Sequence, residues 1–289
     1  AENEYIPLRA GQTNEETQYV LKQFGVNAPQ YVMDVKSQVK DIEIRKVDGV
    51  DRNISIKAAW KLMRDIGVVT LPITRDNKLE GLITIADIAT SYMDVHDSTT
   101  LSTARTVCKN IVETLDGALI IGDEEHVFDR GKVLVAAANP DLMESYIRMG
   151  DIVILGNRYE SQLCAIEMQA GCIVVCEGAP VSMTIKKLAV ENHCTIISTP
   201  HDTFTASRLI NQSVPISFFM RTEGLITFST EAYTDEVRQV MAKKRHRDFP
   251  IHDEQGNYIG MISRRNLLGM GKNCLLYTSP SPRDGATSR

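Results

Sequence analysis

The hydrophobic positions of the chain follow two patterns. In the first, a short apolar run leads through a turn to a second apolar run that ends in a hydroxyl, with a carboxylate or an amide three residues later. This pattern occurs twice, at residues 68–87 and at residues 246–266. Each copy follows an apolar helical face, and Met63 stands as far before Pro72 as Met241 stands before Pro250. Repeated spacing of helix, strand, turn and strand predicts two αββ units.

The second pattern consists of continuous apolar runs, which are typical of strands buried on both faces in a parallel sheet. Between these runs lie segments with helical character, at residues 141–149, 161–170, 182–192 and 203–211. The alternation predicts an α/β domain with a doubly wound parallel sheet, inserted between the two αββ units. The predicted strands are residues 132–137, 151–156, 171–176 and 194–198.

The two ends of the chain have a different character. Residues 1–36 predict a strand and then a helix that is capped by Asn14 and ends at Gly25. A strand and one helix cannot close a core, so we expect this piece to belong to a larger domain. Residues 274–289 show no periodicity and resemble a translated sequencing adapter, so residues 273–289 are expected to be an artefactual or a disordered tail. The chain is therefore expected to be an internal fragment.

Composition excludes several function classes. The net charge of −5 gives no general attraction to nucleic acid or to anionic membranes, and no apolar run approaches the roughly 20 residues of a membrane helix. The cysteines form no CxxC pair, which favours reduced thiols and a cytoplasmic location. They are Cys108, Cys164, Cys172, Cys176, Cys194 and Cys274.

The paired αββ units, with their hydrophobic–Pro–hydrophobic strand and Gly-x-x-Thr-x-x-Asp strand end, resemble a tandem pair of CBS domains. The inserted domain resembles a DRTGG domain, on the residues Gly156-Asn157-Arg158, Gln162 and Glu177-Gly178. This domain order resembles the regulatory region of nucleotide-regulated family II inorganic pyrophosphatases, which belong to the DHH superfamily. The resemblance implies a partial DHH catalytic domain at residues 1–36, CBS motifs at 37–100 and 216–272, and a DRTGG domain at 101–215.

The resemblance also implies ligands and partners. Adenine nucleotides (AMP, ADP or ATP) are the expected regulatory ligands, a homodimer is the expected assembly, and the intact enzyme is expected to use Mn²⁺ or Co²⁺. The family's metal ligands lie in a His-x-x-Pro-Asp-x-Asp type segment and in an Asp-His-His or Asp-His-Asn segment, and neither occurs in this chain. We therefore expect no catalytic or metal residue here, and no hydrolysis of diphosphate by this chain alone. The alternative is a stand-alone CBS–DRTGG nucleotide sensor without enzymatic activity.

The candidate nucleotide site lies at the two strand ends. Asp87 can accept hydrogen bonds from ribose hydroxyls and Thr84 can contact phosphate, although both could instead only cap the following helix. Ser263 and Asn266 are the matching pair in the second unit. Basic residues surround only this second pair, so we expect it to hold the phosphate, unless they merely complement a helix dipole. The basic candidates are Lys243, Arg245, Arg247 and Arg264.

Overall fold

The computed structural model describes residues 8–9, 12–31, 37–93, 97–244 and 246–269. The chain divides into two compact units: a first unit of Ala1–Lys46 with Thr227–Arg289, and a second unit of Val47–Ile226. The start of the predicted first strand, Arg245 and the tail from residue 270 lie outside the described residues.

The first unit begins with strand β1 (Leu8–Arg9), helix α1 (Glu15–Gln23) and strand β2 (Gln30–Tyr31), which pairs in parallel with β1. The predicted cap is confirmed, because the Asn14 side chain accepts a hydrogen bond from the Thr17 backbone N–H at 2.8 Å. None of the side chains of α1 is buried, and Phe24 at its C-terminal cap is 76% exposed. Strand β2 was not predicted, since two residues carry no periodicity.

The second unit opens with helix α2 (Ile56–Ile66), strands β3 (Thr70–Arg75) and β4 (Lys78–Thr84), and helix α3 (Ile85–Met93). Ser55 caps α2 by accepting from the Ala58 N–H, and Gly67 ends it in the left-handed conformation at φ 65°. The hairpin turn at Asp76 and Asn77 also has positive φ. The predicted helix, strand, turn and strand of this repeat are thus confirmed.

The remainder of the second unit is the inserted α/β domain. Its elements are, in chain order, α4 (Thr100–Thr103), β5 (Thr106–Val107), α5 (Cys108–Thr114), β6 (Ala118–Ile121), β7 (Val127–Phe128), β8 (Val133–Val135), α6 (Pro140–Tyr146), β9 (Ile152–Leu155), α7 (Tyr159–Glu167), β10 (Cys172–Val175), α8 (Met183–Glu191), β11 (Thr195–Ser198) and α9 (Thr203–Leu209). Two 3-10 helices, Ile210–Ser213 and Ile216–Phe218, follow.

The four predicted strands form the parallel part of a five-stranded sheet in the order β6-β11-β10-β9-β8, with β6 antiparallel at one edge. The α/β class is confirmed. The hydrophobic pattern does not encode strand order. The four parallel strands lie side by side in chain order, without the reversal of strand order that occurs in a doubly wound sheet. Right-handed crossovers that step in one direction place their helices on one face. Accordingly α6, α7 and α8 share one core cluster, while α9 contacts β8 and β9.

The first unit resumes with strand β12 (Phe228–Ser229), helix α10 (Thr234–Lys243), strands β13 (Asp248–His252) and β14 (Tyr258–Ser263), and helix α11 (Arg264–Gly269). The three strands form one sheet in the order β12-β13-β14. Phe249 and Ile262 from this sheet are buried, as are Val237 and Met241 on α10. The second copy of the repeat therefore has the same helix, strand, turn and strand as the first.

Each repeat is completed by a segment from elsewhere in the chain. We call residues 37–46 and 215–222 the lead segments. The first lead segment lies in the first unit, where Arg45 pairs with Met261 of β14 through two backbone hydrogen bonds of 2.9 Å. The second lies in the second unit, where Arg221 pairs in the same way with Leu82 of β4. Arg45 and Arg221 thus occupy matching places in the two units.

A glycine on each second strand permits this pairing. A Cβ atom on Gly81 would lie 2.9 Å from the carbonyl oxygen of Arg221, and one on Gly260 would lie 2.7 Å from that of Arg45. Both distances are too short for a side chain, so glycine lets the lead backbone lie directly on the strand. The close approach holds each lead arginine beside a strand end.

Candidate functional site

The strand end of the second unit is a reciprocal helix cap. The Asp87 carboxylate accepts hydrogen bonds from the Thr84 backbone N–H at 2.9 Å and from its hydroxyl at 2.6 Å, both to Oδ2. Thr84 Oγ1 in turn accepts from the Asp87 N–H at 3.2 Å. These bonds satisfy backbone groups at the start of α3. Helix capping, one of the two roles considered for this pair, is therefore present.

Asp87 also carries an ion pair that the sequence pattern did not reveal. Its Oδ1 atom accepts from both Nε and Nη2 of Arg221, at 2.9 and 2.5 Å. The Asp87 side chain is 13% exposed, whereas that of Arg221 is 53% exposed. The negative charge at this strand end is thus neutralised by an arginine of the second lead segment.

The strand end of the first unit has the same cap with a different charge. Asn266 Oδ1 accepts from the Ser263 N–H at 3.0 Å and from the Ser263 hydroxyl at 2.7 Å. An amide has no net charge, so position 266 carries no carboxylate where position 87 carries one. The Asn266 Nδ2 group keeps two donor hydrogens that can face a ligand.

The basic candidates of the first unit converge on the end of α10. The Arg264 guanidinium donates through Nη2 to the backbone carbonyls of Met241 and Lys244, which complements the negative end of the helix dipole. The side chains of Lys243 and Arg247 are exposed. The structure thus brings the two basic segments together, and it gives Arg264 the structural role that was the alternative to phosphate binding. Arg245 lies outside the described residues.

The sequence pattern did not predict a role for the lead arginines. Arg221 is 134 residues from Asp87 along the chain, and no local spacing connects them. One signal was available: an arginine occurs in the segment before each repeat. The role of this arginine depends on tertiary structure, because each lead segment pairs with the repeat that it does not directly precede in the chain.

The inserted domain offers a second polar cluster. Asp116 accepts hydrogen bonds from Lys57 Nζ at 3.0 and 3.1 Å and lies 3.1 Å from His201 Nε2. The hydrogen bond from Lys57 is the main cause that lowers the pKa of the Asp116 carboxyl. Lys57 also donates to the Thr114 carbonyl, so the cluster ties α2 to the end of α5.

The described residues lack two kinds of feature. Their His, Cys, Asp and Glu side chains form no group of three or more that could hold a metal ion. None of their helices combines the length and apolar character needed to cross a membrane.

Family models match most of the chain. The CBS domain model matches residues 39–94 and 217–271, and the DRTGG domain model matches residues 110–213. Both strand-end pairs fall inside the CBS matches, and the Asp116–His201 cluster falls inside the DRTGG match.

Two curated relatives are similar over most of the chain. The chain is 38% identical over 280 residues to the cobalt-dependent inorganic pyrophosphatase of Clostridium perfringens, with 96% of this chain and 51% of the relative covered. It is 27% identical over 264 residues to a probable manganese-dependent inorganic pyrophosphatase of Thermotoga maritima, with 91% and 48% covered. The chain therefore spans about half the length of these relatives.

A solved structure is covered by this chain over its whole length. The CBS and DRTGG domains of the regulatory region of Clostridium perfringens pyrophosphatase were crystallised with the activator diadenosine tetraphosphate. That chain is covered completely, against 79% of this one, with 37% identity and a TM-score of 0.76. With two CBS motifs, a DRTGG domain and this complete match, the chain belongs to the family of CBS–DRTGG regulatory regions that the Clostridium perfringens region represents.

Proposed function

We propose that the chain is an adenine-nucleotide-binding regulatory region of an inorganic pyrophosphatase. The proposal is supported by the similarity of this chain to a regulatory region that was crystallised with an adenine-nucleotide activator and that this chain covers completely. Binding of the nucleotide shifts the activity of the catalytic domain in the intact enzyme, a coupling that is typically worth about 1–3 kcal/mol.

The phosphate is assigned to the first unit. Asn266 offers two amide donors without a negative charge, and the exposed Lys243 and Arg247 supply cations. Ser263 and Arg264 position this strand end through their hydrogen bonds to Asn266 and to α10. At the second unit, Asp87 is assigned to ribose hydroxyls, and Thr84 is assigned to a phosphate contact or to the cap of α3.

Calorimetry with AMP on the whole chain tests this assignment. Saturable binding is expected, and Asn266→Ala and Arg247→Ala are each expected to weaken it about tenfold or more, since hydrogen bonds to charged groups contribute about 1.5–3 kcal/mol. Arg130→Ala is the matched control, because it removes the same charge from an exposed side chain of the inserted domain. Unchanged affinity in both site variants rules out this site, and absence of AMP binding rules out the function.

The parent protein is proposed to be a metal-dependent inorganic diphosphatase that uses Mn²⁺ or Co²⁺. Both curated relatives support this, and the exposed Val20 on α1 and Phe24 at its C-terminal cap fit a piece that packs against a catalytic domain. This chain alone is expected to release no phosphate from diphosphate with either metal. A coding sequence that lacks the family's metal-binding segments beside this region would instead support the stand-alone sensor.

Assembly and location complete the proposal. A homodimer is proposed because soluble oligomers of one chain are most often two-fold dimers, and light scattering is expected to give twice the 32.2 kDa chain mass. A mass of one chain contradicts it.

A cytoplasmic location is proposed because the five cysteines of the described residues are free and buried. Recovery of the parent protein in a secreted fraction contradicts that location.

A further inference from the structure

The Asp87 carboxylate has no acceptor position left for a ligand. An ionised carboxylate has about four lone-pair sites on its two oxygens. Two are used by the N–H and hydroxyl of Thr84, and two by Nε and Nη2 of Arg221. A ribose hydroxyl that bonds to Asp87 must therefore displace one of these donors.

Arg221 is the donor that can leave. The Thr84 donors belong to the cap of α3 and are tied to the strand end, whereas the Arg221 side chain is 53% exposed. Its backbone cannot follow the side chain, because it is paired with Leu82 and lies against Gly81. When the Arg221 guanidinium is displaced from Asp87, it therefore moves while its backbone stays in place beside the strand end.

We propose that Arg221 makes the second unit selective for phosphorylated nucleosides. The ribose hydroxyls take the place of the guanidinium on Asp87 Oδ1, and the released guanidinium binds the phosphate of the same ligand. The inference rests on the proposed nucleotide-binding function and adds a specificity-determining residue to it. A guanidinium recognises phosphate through a planar fork of N–H donors, which a lysine cannot reproduce.

The exchange discriminates between nucleoside and nucleotide. Adenosine must break the Arg221–Asp87 ion pair and offers the guanidinium no anion in return. AMP breaks the same pair but replaces the carboxylate with a phosphate. The first unit lacks this mechanism, because Asn266 is uncharged and needs no counter-ion to be displaced.

The experiment compares adenosine and AMP by calorimetry on the whole chain and its Arg221→Ala variant. Removing the guanidinium is expected to raise adenosine affinity about two- to fivefold, since half-exposed ion pairs are weak. It is expected to lower AMP affinity about tenfold, because the charged hydrogen bonds to phosphate are lost. The preference for AMP over adenosine therefore falls at least about tenfold.

Two further variants keep the test decisive. Arg221→Lys retains the charge without the fork and is expected to lose part of the AMP preference, which gives a second reading if the alanine variant does not fold. Arg75→Ala is the matched control, because Arg75 is 59% exposed and pairs with Glu80 at the other end of the hairpin, where Arg52 still holds that carboxylate. Its AMP preference is expected to equal that of the unaltered chain.

The outcomes separate this inference from the proposed function. AMP binding with an unchanged AMP-to-adenosine ratio in both Arg221 variants overturns the role of Arg221 and leaves the regulatory function intact. Loss of adenosine and AMP affinity to the same degree also overturns it, since that pattern marks a merely structural arginine. If the unaltered chain binds neither ligand, the proposed function and this inference both fall.

Discussion

At the scale of the residue, the two strand ends differ in one side chain, an aspartate in the second unit and an asparagine in the first. Position 87 has a carboxylate and position 266 has a carboxamide, although both accept the same two hydrogen bonds from the preceding hydroxyl residue. The carboxylate of Asp87 attracts Arg221 of the second lead segment into an ion pair in which Nε and Nη2 both donate to Oδ1. One substitution between repeats thus gives a charged group and an uncharged group at otherwise matching positions.

The cysteines provide a prediction at the same scale. Burial raises the pKa of Cys108 and Cys194 to about 12 and that of Cys176 to about 11, while Cys172 is shifted well upward and Cys164 is also raised. Because the thiolate is the reactive form, all five thiols stay protonated at pH 8. A thiol reagent such as DTNB is expected to leave them unmodified in the folded chain and to modify them in urea.

Cys274 is the control for this measurement because it lies outside the described residues. The Cys274→Ser variant is expected to lower the thiol count in urea from six to five. Rapid modification of two or more thiols in the folded chain would show that the buried cysteines are accessible.

At the scale of the element, helix α2 shows how local chemistry sets the ends of a helix. Ser55 supplies the side-chain oxygen at the start, and Gly67 supplies the left-handed residue at the end. Both roles depend only on neighbouring residues, so both were predictable from the sequence. The capped helix then places Ala59 and Met63 in the core of the second unit.

A pair of glycine variants isolates the backbone effect at the end of α2. A Cβ atom on Gly67 or on Gly156 would meet no atom within 4 Å, but only Gly67 has a positive φ, of 65°. Gly67→Ala is therefore expected to lower the free energy of unfolding by about 1 kcal/mol, because an L-residue is strained there. Gly156→Ala is expected to change it by less than about 0.5 kcal/mol. Urea denaturation measures both, and equal effects of the two substitutions would refute the argument.

At the scale of the whole molecule, one compact unit joins the first CBS motif to the DRTGG domain. Asn110 on α5 is buried and donates from Nδ2 to the Asn53 carbonyl at 2.8 Å, and Lys57 on α2 reaches the Thr114 carbonyl. These hydrogen bonds connect the turn and helix before the first hairpin to the inserted domain. The second unit should therefore respond to perturbation as a single cooperative structure.

Asn110→Ala tests this cooperativity. Loss of a buried hydrogen bond is expected to lower stability by about 1–2 kcal/mol, because the Asn53 carbonyl loses its donor. Amide hydrogen exchange is expected to speed up equally in α2 and in β10. Asn192→Ala is the control, since the Asn192 side chain bonds only within its own helix, to the Leu188 carbonyl, and a smaller effect is expected. Unchanged protection of β10 beside faster exchange in α2 would show two independent parts.

The repeats, their caps and the four parallel strands could be predicted because each depends on residues close together in the sequence. The basic residues around α10 could be named, but their contacts could not, so the bond from Arg264 to the end of α10 emerged only in the structure. Strand β2 and the antiparallel strand β6 were missed, since an edge strand is defined by its neighbour as much as by its own side chains.

Local pattern alone determined that this chain has two αββ repeats around a parallel α/β domain, and which residues end their second strands. The tertiary structure decided which lead segment completes which repeat, in what order the sheet is arranged, and that Arg221 saturates Asp87 across 134 residues. The physical reason is the range of each interaction. Periodicity and capping act within a few residues and leave a trace in the sequence, whereas pairing between distant segments depends on the closed core that brings them together.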